Sequence, residues 1–410
     1  MKLLKVLVAV LVMAAMAVPV IAEDRLQLSG EMRVRAFHDD TDVDGDTDNG
    51  TDTWANQRLR IAGKIAVAEG VSVTFRTDIT EGSNWGDSST YAGTTGPIRS
   101  NGFGHARSGA QQQWDRAHMD LTKGMFHLRA GQQYIGTGGT WAIDTQDSGL
   151  SLDIKTAVPF IVFFIVDKDG GSLSAQDAYL YGASVSPKGD SYSAKIFGAG
   201  YSDAAVGTEV YLIGLSGSTN LGPVKLFGEF DYFTGDNSDT SVKEDAMGTQ
   251  LMLDASIAAT DAATVGAQFF YAIGADADEQ QYVRLGNGFN GWDPIMDVGT
   301  SLSNEEIPLG NVFDFTGTGA GVMAGRLYAS FKASDALNFG VSGAYLQTED
   351  DDVADVDAMA FAGGVTYSLL ENTSIQLQLQ YTDGTVNGSG SDPDVDFDSF
   401  QAGTGIFVKF

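Results

Sequence analysis

Polar and apolar residues alternate along most of this chain, and the phase of the alternation predicts strands. From Arg25 to Phe37, Leu26, Leu28, Met32, Val34 and Ala36 share one phase, while Gln27, Ser29, Glu31, Arg33 and Arg35 share the other. Successive side chains of a strand leave on opposite faces, so this is a ribbon with one apolar and one wet side. The dyad returns in Leu59, Ile61, Ile65 and Val67 against Arg58, Arg60 and Lys64, and in Val71, Val73, Phe75 and Ile79 against Ser72, Thr74, Arg76 and Asp78. It continues with Ala117, Met119 and Leu121 against Arg116, His118 and Asp120, then with Phe126, Leu128 and Ala130 against His127 and Arg129. Further strands are expected near 148–155, 158–167, 177–186, 191–201, 208–216, 223–233, 249–258, 263–273, 324–332, 336–347, 358–368, 374–382 and 399–410. The total is 18, or 16 if the region around Phe160–Val166, apolar on both phases, is not a regular strand.

The joints between these strands alternate in length. Glu69-Gly70, Lys123-Gly124, Pro187-Lys188-Gly189, Thr260-Asp261, Ser334-Asp335 and Glu371-Asn372 are tight turns, whereas 39–53, 81–112, 234–247, 274–322 and 383–398 are long, polar and rich in Gly and Asp. A barrel with both ends of its chain on the periplasmic side of a membrane has this parity, and a soluble sandwich has no need of it. Past residue 22, the longest apolar run is Ala157–Val166, about half of the roughly 20 residues a spanning helix requires. Crossing a membrane without such a helix requires a closed barrel, the other architecture that satisfies every backbone group in lipid. The expected fold is therefore an all-β, closed, antiparallel transmembrane barrel of 16–18 strands. Phe400 and Phe410 share the outward phase of the last strand; ten residues tilted near 45° span about 24 Å along the membrane normal, close to the spacing of two aromatic girdles.

The first residues set the compartment. Lys2 and Lys5 precede an apolar run from Val6 that ends in Val20-Ile21-Ala22, the pattern of a secretory signal peptide over 1–22, with the barrel domain at 23–410. The chain carries 54 acidic and 24 basic residues, two of the latter in this leader, a balance that disfavours nucleic acid as a partner. With no Cys, it has neither disulfide nor thiolate chemistry.

At the C-terminus, Ala402, Thr404, Ile406, Val408 and Phe410 lie on one phase, and Gly405, Val408 and Phe410 fit the form Gly-x-x-hydrophobic-x-aromatic. In these residues, and in the hairpin from Trp114 to Gln132, the sequence resembles the Gram-negative porin family. The resemblance implies a water-filled channel in the outer membrane for passive diffusion of small hydrophilic solutes and ions, with no catalytic role. It also implies a homotrimer set in outer-membrane lipid and lipopolysaccharide, with Gly405, Val408 and Phe410 as the signal read by the barrel assembly machinery.

With the apolar phase in lipid, Arg33, Arg35, Arg58, Arg60, Lys64, Arg76, Arg116 and Arg129 point into the lumen from the first five strands. Gln376, Gln378, Gln380 and Gln401 make the closing strands neutral inside. Such a one-sided wall in a narrow pore selects the sign and orientation of solutes. The third external loop, near 135–147, corresponds to the one that commonly folds inward in porins, which would set Asp144 and Asp147 as constriction-loop residues facing the basic wall. The alternative is that the arginines fill a polar lumen and neutralise nearby carboxylates. Because the external loops are acidic, the sign of selectivity stays open. The doubly apolar Phe160–Val166 either packs its inner face on the folded loop or lines a hydrophobic slide.

Asp40, Asp42, Asp44, Gly45, Asp46 and Asp48 resemble the opening of a calcium loop, but Thr51 stands where the closing bidentate Glu belongs. The expectation is a solvated acidic external loop that holds Ca²⁺ or Mg²⁺ weakly, with no other cofactor. Two other function classes remain. A barrel hydrolase would use His127 with Asp120, brought together across the Lys123-Gly124 turn; a surface adhesin or receptor would use the loops at 81–112 and 274–322.

Overall fold

The computed structural model describes residues 25–45, 50–80, 113–136, 142–169, 176–237, 245–275, 279–285, 298–302, 319–350, 352–388 and 393–410. The first half of the wall is β1 (Leu26–Val43), β2 (Gly50–Ala68), β3 (Val71–Thr80), β4 (Gln113–Lys123), β5 (Phe126–Gly136), β6 (Asp144–Ile154), β7 (Phe160–Lys168), β8 (Ala178–Val185) and β9 (Tyr192–Asp203). The second half is β10 (Thr208–Leu221), β11 (Val224–Asn237), β12 (Asp245–Thr260), β13 (Ala263–Ala272), β15 (Val322–Lys332), β16 (Leu337–Gln347), β17 (Val356–Leu370), β18 (Thr373–Val386) and β19 (Val395–Lys409). A three-residue strand, β14 (Glu279–Gln281), lies outside this wall and pairs in parallel with the start of β12.

Each wall strand pairs antiparallel with its neighbours in sequence, and β19 returns to β1 from Glu31↔Lys409 to Val43↔Phe397, closing an eighteen-stranded barrel. The last residue completes the seam: the backbone of Phe410 exchanges two hydrogen bonds with Gly30, at 2.7 and 3.0 Å. Gly30 is required there, because a Cβ on it would stand 2.7 Å from the Phe410 ring. Closure leaves no open edge to be satisfied in lipid.

The period-two phase settles which side is which. On β10, Thr208, Val210, Leu212 and Ser216 are buried while Tyr211, Ile213 and Leu215 are exposed. Exposed Leu, Val, Ile and Phe side chains recur on the outward phase of the other strands, with paired aromatics toward either rim: Tyr381 opposite Phe400 at one, Phe331 opposite Phe339 at the other. Such a belt is suited to hydrocarbon and to no aqueous surface.

Strands run longer than their amphipathic parts. β1 extends to Val43 and β2 begins at Gly50, so the joint expected at 39–53 shrinks to 44–49. Beyond the membrane both faces meet water, and the hydrogen-bonded ladder continues where polarity no longer alternates. Of the acidic residues at this joint, Asp40 and Asp42 lie in the β1 ladder, where alternate residues extend along one face. Asp40 accepts a hydrogen bond from the Thr51 hydroxyl at 2.9 Å. Asp44 is in the following turn, Asp46 and Asp48 lie outside the described residues, and among the described residues no group of three acidic or His side chains is placed to hold a metal.

The barrel has an interior of its own. One apolar cluster joins Phe163, Ile165, Leu180, Phe197, Val210, Leu212 and Phe233 on the inner faces of β7–β11 to Ala142, Ile143 and Leu285. A second joins Phe270, Ala324, Ala344, Ala358, Ala360 and neighbours to Val283 and Val298. The doubly apolar β7 thus takes the first of its two expected roles: its inner face packs on residues folded in from connections.

Candidate functional site

A long external loop was expected at 274–322, but within this connection between β13 and β15 the residues 282–285 and 298–302 pack against the inner face of the wall. It enters along β12, where the backbone of Tyr282 donates to Met247 O at 2.7 Å, and Gln250 donates to Val283 O at 3.2 Å. Leu285 N then bonds Ala142 O at 2.9 Å, tying it to the β5–β6 joint. Farther on, Ser301 N donates to the Gln376 side chain at 2.6 Å, Thr300 donates to Gln378, and Thr366 donates to Gly299 O at 2.9 Å. Leu302 ends against Phe37.

This chain can lie flat on the wall because the wall there has almost no side chains. Gly340 and Gly364 face each other across β16 and β17. A Cβ on Gly364 would stand 2.6 Å from Val298 Cγ2, and one on Gly340 would collide with the Val298 backbone. Gly248 on β12 receives Tyr282 in the same way. Around these glycines the inward positions are Ala324, Ala344, Ala358, Ala360 and Ala362. That run of small inward residues was the sequence signal for an inserted connection, and periodicity alone passes over it.

Facing this packed side is the basic wall. Register sets Arg33 beside Arg58 and Arg76 beside Arg116. Like charges so close persist because carboxylates interleave them. Arg58 pairs with Glu31; Arg60 holds Asp78 through two nitrogens at 2.5 and 2.6 Å and reaches Asp115 at 3.4 Å. Arg76 pairs with Asp115 at 2.6 Å and donates to Gln146 at 3.1 Å, and Arg129 lies 3.7 Å from Asp153. The Arg116 guanidinium lies 5.6 Å from the Tyr134 ring centre. These six arginines, Arg33 among them, keep part of their surface open, and Lys64 is exposed nearer the short-turn end.

Arg35 departs from the expectation of a lumen-exposed residue. It is 1% exposed, with Nε donating to Asn56 at 3.1 Å and its guanidinium 5.3 Å from the Phe37 ring centre. Phe37 stacks on Trp54 at 5.4 Å and packs on Leu302, so the inserted connection and its aromatic support close this part of the wall. Gly405 lies opposite Arg35, and a Cβ there would come within 3.1 Å of Arg35 Cγ.

Asp144 and Asp147 also stand elsewhere than expected. Both belong to strand β6, paired with Gly136 and Gln133, and not to a loop crossing the lumen. β6 flanks the basic strands, so neither aspartate faces that wall from across the pore. Just before β6, Ala142 and Ile143 are both fully buried in the inner apolar cluster. Nine strands round the barrel from β2 and β3 are instead β11 and β12, which carry Glu229, Asp231 and Asp254 inward; sequence reasoning missed these residues. Glu229 and Asp231 are 2% and 1% exposed, Asp231 bonded to Gln250 at 2.9 Å beneath the inserted segment. Among the described residues, the arginines of β1–β5 thus keep part of their surface open, whereas Glu229 and Asp231 on β11 are sealed and Asp254 on β12 is half-buried.

His127 does meet Asp120, as the turn requires, at 3.0 Å from Nε2. Its Nδ1 is 3.0 Å from Asp153, and Thr74 donates its hydroxyl to Asp120 at 2.8 Å. Both imidazole nitrogens are thus held by carboxylates.

A closed eighteen-stranded barrel, apolar outside and charged within, defines an outer-membrane channel protein. The model of the Gram-negative porin family matches residues 8–290, and the chain belongs to that family. No curated protein matches it. Solved structures with the same fold include OccAB4 of Acinetobacter baumannii, at 12% identity and a TM-score of 0.56 over 95% of this chain and 100% of that one. A BenF-like porin from Pseudomonas fluorescens Pf-5 aligns at 11% identity and 0.55, over 95% of this chain and 99% of that one. OccK11 of Pseudomonas aeruginosa aligns at 9% and 0.54, over 93% and 96%. The protein resides in the outer membrane.

Proposed function

We propose that small hydrophilic anions cross this channel along the wall formed by Arg33, Arg58, Arg60, Arg76, Arg116 and Arg129, with the β13–β15 connection narrowing the path from the opposite side. The observation that carries the reading is the asymmetry of cover: the inward carboxylates of β11 are sealed, while the arginines of β1–β5 keep water contact. In a slot walled by low-dielectric protein, fixed cations raise the local concentration of anions. The acidic outer loops act before the constriction and over a distance that salt screens.

The protein passes solutes without transforming them. A hydrolase needs an imidazole free to take a proton from water or a hydroxyl. In His127 both nitrogens already face carboxylates, and the nearby Thr74 hydroxyl is turned to Asp120 instead. The adhesin reading loses part of one of its two supports, because 282–285 and 298–302 in the 274–322 connection pack against the inner wall.

Planar-bilayer recording tests this. Neutralising Arg33, Arg58 and Arg76 together is expected to lower the chloride-over-potassium permeability ratio by on the order of threefold and move the reversal potential toward cations. An unchanged ratio would place the narrowest point away from these residues.

A further inference from the structure

At the short-turn rim, on the lipid side, the turn of β2–β3 and the turn of β4–β5 enclose a hollow of about 560 Å³. Val71, Leu121, Phe126 and Leu128 line it, all on the outward phase, and Glu69, Lys123 and Gly124 form its lower margin. Register explains its shape. Val71 lies opposite Leu121, Leu121 opposite Leu128 and Lys123 opposite Phe126, while the backbone of Thr122 bonds Gly70 O at 2.7 Å and draws the two turns together. Gly70 and Gly124 take φ of 72° and 59°, which lets both turns be this tight, and a Cβ on Gly70 would collide with the Thr122 carbonyl that the two turns bring together.

The hollow has two chemistries in a fixed order. Its wall is apolar and continuous with the hydrocarbon belt, and Phe126 is 47% exposed there. Its margin, beyond that belt, carries one cation and one anion, and neither Lys123 nor Glu69 forms an ion pair with another described residue. In the periplasmic leaflet of an outer membrane, the molecules at this depth are phospholipids. A zwitterionic headgroup presents a phosphate and an ammonium above its acyl chains, which complements a lysine and a carboxylate above an apolar wall. The volume lies within the range of pockets that hold small ligands.

We infer that this rim hollow binds one zwitterionic phospholipid of the periplasmic leaflet, with its phosphate at Lys123, its amine at Glu69 and an acyl chain along Val71, Leu121, Phe126 and Leu128. The site is separate from the lumen and does not depend on which solutes the channel passes.

The test is native mass spectrometry of protein extracted from outer membranes in mild detergent and titrated with phosphatidylethanolamine, phosphatidylglycerol or inorganic phosphate. Wild type should hold one phosphatidylethanolamine, and Lys123→Gln should weaken it about fivefold, the effect of one cation at a membrane surface. Leu121→Trp, which fills the hollow without removing either charge, should weaken it as well. Both variants should keep wild-type conductance and heat-modifiable mobility, which separates loss of lipid from loss of fold. Equal phosphatidylethanolamine binding in wild type and both variants would overturn the site. So would binding of inorganic phosphate alone, and equal preference for phosphatidylglycerol would overturn the role of Glu69.

Discussion

At the scale of single residues, the interior of this barrel is governed by the cost of burying charge. Asp78 is fully buried, and the fork of Arg60 meets both of its oxygens. Removing one partner of such a pair strands the other in a poor solvent. Arg60→Ala is therefore expected to cost about 3–5 kcal/mol, read as a lower urea midpoint for unfolding from lipid vesicles. The double replacement Arg60→Met with Asp78→Met should restore most of that stability; if the single and double variants fall equally, the pair has no such coupling. The arginines themselves were legible in the sequence, since each sits on the wet phase of a strand whose other phase is apolar. The burial of Arg35 was not, because it depends on Leu302 and Phe37, residues far apart in sequence that meet only after the β13–β15 connection has folded inward.

At the scale of elements, the connection is seated by absence. Gly340 and Gly364 give Val298 a surface without side chains, and a leucine at either position would occupy the space of its backbone or its methyl group. Gly364→Leu is expected to lift the segment from β16 and β17 and roughly double single-channel conductance, because current follows the free cross-section of the narrowest region. Conductance unchanged in a folded Gly364→Leu variant would mean that the pore narrows elsewhere. The same substitution tells this segment apart from Ala142 and Ile143 before β6, which rest on the β7–β11 face instead. Strand positions were readable wherever a face met lipid. Strand ends beyond the membrane were not, as β1 and β2 show, since a ladder flanked by water on both sides leaves no alternation behind.

At the scale of the whole molecule, the proposed anion preference rests on the geometry of a charge distribution. The chain is strongly acidic, with a formal net charge of -30, yet the inward phase of β1–β5 carries a cluster of arginines. Net charge decides how the protein behaves as a colloid, whereas the few charges near the narrowest point decide which ions pass. Screening shortens from about 10 Å at 0.1 M salt to about 3 Å at 1 M, so charges a few ångströms from the ion act at both strengths while distant loops act only at the lower. Anion preference should therefore survive at 1 M potassium chloride and weaken at 0.1 M as the acidic loops begin to oppose it. A preference that instead grew steadily on dilution, measured by reversal potentials at fixed gradient, would show that the loops do not oppose anion entry.

The sequence by itself determined the sheet, its closure and its two faces, because lipid on one side and water on the other impose a period that repeats in every strand. It also determined which strands carry cations. Only the tertiary structure decided what fills the lumen, which arginines remain open to water and which carboxylates are sealed. Those outcomes follow from contacts between β12, β16, β17 and a connection more than a strand away in sequence. Glycine and alanine on a wall mark room for something, but the chain that takes the room is chosen by shape and backbone hydrogen bonds that no local pattern records.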